Sequence, residues 1–225
     1  MDKINRGFQI VNEAKDQLGF LTRLTQPGEK EYSFDPVQIK ELIQECCDFM
    51  AETAGIYTQR IDYGNVQFVR PVPLVRTWIR KAILNLIDNA LKYSWADRKI
   101  VVAAQEDGEG IIKIKLTNWG IAIPPEHQKR IFESYFRSHM PDSREPRRGT
   151  GVGLAIVKNA IEVIHSGEIL VESKPFGNGD KKLLRSTGEM KDIEYETTFT
   201  IVLNRKVLNS LAESKASKES KNDEQ

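Results

Sequence analysis

The chain has 225 residues, with 33 Lys plus Arg against 32 Asp plus Glu and a formal net charge of +1. That balance excludes recognition of nucleic acid or a membrane surface by bulk electrostatics, though it leaves room for a local basic pocket. With 40% hydrophobic and 29% charged residues, the composition is that of a soluble chain with a real core: one domain with an attached segment, or two small ones.

No apolar run reaches the 18 residues of a membrane span, and the polar N-terminus lacks the apolar stretch of a signal peptide. The only cysteines, Cys46 and Cys47, are neighbours, an arrangement that suits neither a structural disulfide nor a zinc site. No membrane contact and a cytoplasmic location are therefore expected.

In chain order, Ile4, Val11 and Leu18 recur every seven residues beside Phe8, Ala14 and Leu21. The period predicts an amphipathic helix over about 1–30, suited to a coiled-coil or bundle contact or to packing on its own domain. Asp35-Pro36 is expected to open a second helix ending near Gly55, and two short strands are predicted at 58–62 and 66–69. Pro73 is expected to begin a long helix to Tyr93. Strands at 99–104 and 111–117 are joined by a turn in which Asp107-Gly108 is a hairpin signal. A short helix through Ile131 and Phe132 follows Pro124-Pro125, then a polar stretch at 138–148. Another helix runs from the glycines at 149–153 to Ile164. The last strands, 168–173 and 195–203, flank a polar insert at 174–194 whose Lys181, Lys182 and Arg185 make it a mobile surface loop or a docking segment. The Lys/Ser/Glu-rich residues 205–225 are expected to be a disordered tail.

Two of these elements carry chemistry. On the long helix, Asn85, Asn89 and Lys92 share one face, opposite a wide apolar surface. Asn is a poor helix former, and a merely solvated face favours Glu, Lys or Gln. A carboxamide oxygen is a hard, neutral ligand that suits Mg²⁺, and Lys92 offers a cation for phosphates. Further on, Gly149, Gly151 and Gly153 stand before an apolar helix. Alternating glycines let backbone N–H groups approach an anion, with help from the helix N-terminus. They also make ordinary turns, and the run fits neither a P-loop nor a dinucleotide fingerprint.

The order of the motifs is more specific than any one of them. Asn85-Leu86-Ile87-Asp88-Asn89-Ala90-Leu91-Lys92-Tyr93-Ser94 resembles the N box of sensor histidine kinases. Gly120 with Ile123-Pro124 resembles part of their first glycine box, Ile131-Phe132-Glu133-Ser134-Tyr135-Phe136-Arg137 the F box, and Gly149-Thr150-Gly151-Val152-Gly153-Leu154 the second glycine box. The resemblance spans 34–204. It implies an α/β (α+β) two-layer sandwich, a mixed sheet packed on helices, preceded by the N-terminal amphipathic helix as a remnant of the dimerisation and phosphotransfer hairpin. It also implies ATP and Mg²⁺ as ligands. Asn85, Asn89 and Lys92 would then serve metal and phosphates, and Tyr93 would pack near adenine. Gly120, Ile123, Phe132, Arg137 and Arg148, together with residues 149–154, would complete the binding site, under a lid at 138–148.

Two departures bear on affinity. The family's usual Asp, which accepts the adenine amino proton, is Asn118 here, and Ala122 replaces a glycine; Trp119 and Ile121 are also bulky. Exchanging a charge-assisted hydrogen bond for a neutral one weakens adenine recognition by about 1 kcal/mol, roughly fivefold in affinity.

Related ATPases place a Glu general base where Asn85 stands, and a carboxamide takes no proton. Phosphoryl transfer therefore suits the motif better than hydrolysis. None of His127, His139 and His165 lies in the hairpin context of a phosphoacceptor. The acceptor histidine is thus expected on phosphotransfer helices outside this chain, with a response regulator downstream and a homodimer through the N-terminal helix. Two other readings stay open: a regulatory domain that has lost nucleotide binding, and an anti-sigma-factor-type serine kinase.

Overall fold

The computed structural model describes residues 32–136, 151–176 and 194–222. The chain divides into two compact units, Met1–Tyr32 and Ser33–Gln225, and the description concerns the second. The expected heptad helix, the lid at 138–148, Arg137, Gly149, Thr150 and nearly all of the 174–194 insert lie outside the described residues.

The second unit is a mixed five-stranded sheet with helices on one face. Its strands are β2 (Arg60–Val66), β4 (Lys99–Glu106), β5 (Ile111–Gly120), β6 (Glu168–Pro175) and β7 (Tyr195–Asn204), in the order β2-β4-β5-β7-β6. Only β2 and β4 are parallel, and the other pairs are antiparallel. Period-two alternation puts Ile100 and Val102 of β4, Ile112, Ile114 and Leu116 of β5, and Phe199, Ile201 and Leu203 of β7 in the core. Against them pack helix α1 (Ile39–Ile56), through Leu42, Ile43 and Met50, and helix α2 (Arg76–Tyr93), through Ile79, Ile83, Leu86, Ile87 and Leu91. Helix α3 (Gly153–Lys158) runs on into a π-helical turn, Asn159–Ile164. Cys46 and Cys47 are free thiols in this core, where burial pushes their pKa up to about 11 and about 12.

Several expected boundaries move because pairing overrides local signals. Asp35-Pro36 belongs to a strand, β1 (Asp35–Val37), not to the start of a helix. It pairs antiparallel with β3 (Val72–Leu74), which takes Pro73 out of the expected long helix. A two-stranded ribbon tolerates both prolines because neither N–H is needed in a central ladder. In place of the two strands predicted at 58–62 and 66–69 stands one, β2, which ends at Val66 and is bulged between Asp62 and Asn65. In the β4–β5 turn the left-handed residue is Gly110 (φ 83°), while the Asp107 carboxylate accepts from the N–H groups of Glu109 and Ile111.

The residues expected as a tail form helix α4 (Arg205–Asn222). Its start is anchored. Asn204 Oδ1 accepts from Lys206 and Val207, Leu208 is fully buried, and Arg205 makes a two-pronged pair with Glu106 at 2.5 and 2.8 Å. The same guanidinium donates to the carbonyls of Pro71 and Arg70. Composition missed these long-range partners, and Arg205 holds the Glu106 carboxyl below its usual range.

Candidate functional site

Helix α2 brings Asn85, Asn89 and Lys92 together, half-buried along one side, while its apolar face is consumed by the sheet and α1. The Asn85 side-chain nitrogen donates to the carbonyl of Lys81 at 2.8 Å, which leaves Oδ1 as the acceptor. That oxygen meets the start of α3: a Cβ built on Gly153 would stand 2.7 Å from it. Gly153 is therefore bare where the second glycine motif touches the Asn motif. Lys92 is held by Asp88 at 2.5 Å one turn back, so its ammonium lies along the helix rather than swinging freely.

The end of α2 is stitched to the end of β5. Ile121 N–H donates to the Tyr93 carbonyl at 3.1 Å, Trp95 N–H donates to the Trp119 carbonyl at 3.0 Å, and Ser94 bridges Gly120. A Cβ on Gly120 would lie 1.9 Å from the Tyr93 carbonyl oxygen, so no side chain fits there. Tyr93 itself is half-exposed beside this junction. Asn118, two residues earlier on the helix-facing side of β5, is 3% exposed. Opposite it stands buried Thr197, whose hydroxyl lies 2.9 Å from Ser173 Oγ; Ser173 also accepts from Ile123 N–H at 3.1 Å. Sequence reading missed Thr197 and Ser173. The available signal was the break in the apolar alternation of β7 at the register of Asn118.

Around the second glycine motif, Gly151 adopts φ 72° and its carbonyl accepts from Tyr135 N–H at 2.8 Å, while Tyr135 is itself left-handed at φ 66°. A side chain at Gly151 would strain the backbone and crowd Tyr135. Val152 is buried and Leu154 packs against the core. Phe132 meets Phe199 edge-to-face at 6.3 Å, which fixes the F-box turn (Arg130–Phe132) under the site. Arg137, Arg148, Gly149 and Thr150, also expected here, lie outside the described residues. Among the described residues no three His, Cys, Asp or Glu side chains are placed to hold a metal ion.

His165, one of the three histidines outside any phosphoacceptor context, is a structural tie. Only 1% exposed, its Nε2 accepts from Val75 N–H at 2.9 Å, just ahead of α2, and its Nδ1 lies 2.5 Å from the Ala160 carbonyl. It joins the helix carrying Asn85 to the segment that follows Gly153. Burial pulls its pKa down to about 4, against the opposing bond to Ala160. A histidine depressed in the fold stabilises above its unfolded value near 6.5, and that stability is lost as pH falls toward 4. Between pH 7 and pH 4.5 the domain is expected to lose about 2–3 kcal/mol through His165. Urea midpoints should show a flatter pH dependence in His165→Gln over that window. An unchanged slope would contradict the assignment.

This fold, with paired asparagines on the central helix and a bare glycine against them, defines an ATP-binding domain of the histidine-kinase type. Residues 75–206 match the family described as histidine kinase-, DNA gyrase B- and HSP90-like ATPase, and the chain belongs to that family. It is 40% identical over 170 residues to the sensor-like histidine kinase SenX3 of Mycobacterium tuberculosis, covering 73% of this chain and 40% of SenX3. Over 181 residues it is 32% identical to the adaptive-response sensory kinase SasA of Crocosphaera subtropica, covering 74% of this chain and 45% of SasA. The chain thus spans less than half the length of these curated relatives. The solved structure of the mycobacterial sensor histidine kinase MprB superposes with a TM-score of 0.59 at 25% identity, covering 76% of this chain and 97% of that one. Among the described residues no helix is long and apolar enough to cross a membrane.

Proposed function

We propose that this chain binds Mg-ATP between α2 and the start of α3 and transfers the γ-phosphoryl group to a histidine on a phosphotransfer helical hairpin. The observation that carries the reading is Asn85. Its oxygen faces Gly153, and its nitrogen is committed to the Lys81 carbonyl. A carboxamide there ligates but takes no proton from water, so the site favours transfer over hydrolysis.

The donor set fits the ligand. Asn85 and Asn89 supply neutral oxygens suited to Mg²⁺ alongside phosphates, and Lys92 supplies a cation on leaving Asp88. The bare backbone at Gly151 and Gly153 gives phosphate oxygens close approach to N–H groups. Held by Asn85 and Asn89, Mg²⁺ would supply positive charge against the charge that develops on the phosphates in transfer. Asn118 and Tyr93 receive the adenine, with the affinity cost of about 1 kcal/mol that a neutral acceptor carries.

The relatives' names as sensor kinases, and the heptad spacing of Ile4, Val11 and Leu18, support a cytoplasmic kinase that pairs through its N-terminal helix and serves a response regulator. Asn118 and Ala122 favour the alternative, a regulatory domain without catalysis.

Incubation with γ-labelled ATP, Mg²⁺ and a separately supplied histidine-bearing hairpin decides between them. The expected product is acid-labile label on the hairpin, lost with Asn89→Ala. Label appearing only as inorganic phosphate or on serine, or no transfer at all, would overturn the reading.

A further inference from the structure

On the helix-facing side of the sheet, one row changes character. The row that joins Leu116 of β5 to Phe199 of β7 and Val171 of β6 is apolar, and the next is Asn118, Thr197 and Ser173. All three are neutral, and Asn118 and Thr197 are each 3% exposed. Ser173 Oγ accepts from Ile123 N–H, and the Ser173 and Thr197 hydroxyls bond each other at 2.9 Å. Both hydroxyls are thus turned away from Asn118.

The Asn118 carboxamide forms no hydrogen bond among the described residues, although buried side-chain amides ordinarily do. It is not sealed either. Among the described residues the buried polar atoms with neither partner nor access are Gln59 Oε1, Trp119 Nε1 and Glu194 Oε1, so both polar atoms of Asn118 stay within reach of a ligand.

Nothing therefore fixes which way this amide faces. Rotation about its last side-chain bond exchanges oxygen and nitrogen over a broad torsional profile, and here it breaks no hydrogen bond. In one sense the oxygen accepts from a purine 6-amino group while the N–H donates to the unprotonated ring nitrogen beside it. In the other, the N–H donates to a 6-oxo group while the oxygen accepts from the ring N–H beside it. Each sense makes two neutral hydrogen bonds. A carboxylate has no second sense: it only accepts, and a 6-oxo group would set oxygen against oxygen.

We infer, resting on the proposed placement of the base against Asn118, that this residue makes the site indifferent to the purine 6-substituent. The nucleotides it takes are then 6-oxopurine nucleoside triphosphates alongside ATP.

Calorimetric titration of the full chain with ATP and with inosine triphosphate, both in excess Mg²⁺, is the test. The two differ only in the 6-substituent and the proton on the neighbouring ring nitrogen. In the parent, inosine triphosphate should bind within about threefold of ATP. Asn118→Asp, checked for an unchanged melting temperature, should bind ATP about fivefold more tightly and inosine triphosphate about tenfold more weakly or worse. Inosine triphosphate bound about tenfold or more below ATP in the parent would overturn the inference while leaving ATP binding in place, and needs no variant. An unchanged ratio of the two affinities in folded Asn118→Asp would overturn it as well. Saturation by neither nucleotide would overturn it together with the proposed nucleotide site.

Discussion

Gly120→Ala is expected to lower the stability of the domain by roughly 3 kcal/mol or more, because the added methyl meets backbone rather than a yielding side chain. The Tyr93 carbonyl oxygen would be 1.9 Å away, with the Ser94 Cα at 2.7 Å. To admit it, the end of α2 must lift off β5, breaking the Ile121-to-Tyr93 and Trp95-to-Trp119 hydrogen bonds and the contacts of Gln59 with the Ser94 and Trp95 carbonyls. For a domain of this size the melting temperature should fall by about 10 °C. Gly108→Ala is the control: nothing lies within 4 Å of that position, so its midpoint should stay within about 0.5 kcal/mol of the parent. Equal midpoints for the two variants would show that the junction is not built as described.

Gly153→Ala should separate site from fold. Its added methyl meets Asn85 Oδ1 at 2.7 Å, the tip of a side chain that can rotate away. The gain in helix propensity at the start of α3 offsets part of the strain, so stability should change by no more than about 1 kcal/mol. Displacing that oxygen removes a ligand from the proposed metal and phosphate site. Mg-ATP affinity should therefore drop at least about tenfold, equivalent to ~1.4 kcal/mol. Folding checked by thermal melting and affinity by calorimetry give the pair of numbers. A loss of stability without a loss of affinity would make Gly153 a packing glycine only.

The two glycines mark what was readable in the sequence. Motif order predicts a shared site for Asn85, Asn89, Gly120 and Gly153, because the spacing within each motif is local to the chain. It did not say which glycine guards backbone and which guards a side chain, since those neighbours are 27 and 68 residues away in the chain. His165 was opaque for the same reason: its partner Val75 lies 90 residues earlier, and nothing local distinguishes a capping ring from a packed one. The ladder strands were legible from alternation, whereas β1, β3 and α4 were not. The first two exist only through each other, and α4 is held by Arg205 reaching Glu106, Pro71 and Arg70. Lys92 and Asp88 are four residues apart, the spacing at which helix partners meet, and the cation expected to serve phosphates is paired with that carboxylate.

On the proposed function, the asparagine face of α2 holds Mg-ATP despite the neutral Asn118. Isothermal titration of the chain with ATP in excess Mg²⁺, repeated on Asn89→Ala at matched thermal stability, tests it most directly. Saturable binding below millimolar concentration is expected in the parent, with a loss of at least about tenfold in the variant. No saturable binding by the parent, or equal affinity in the two proteins, would contradict it.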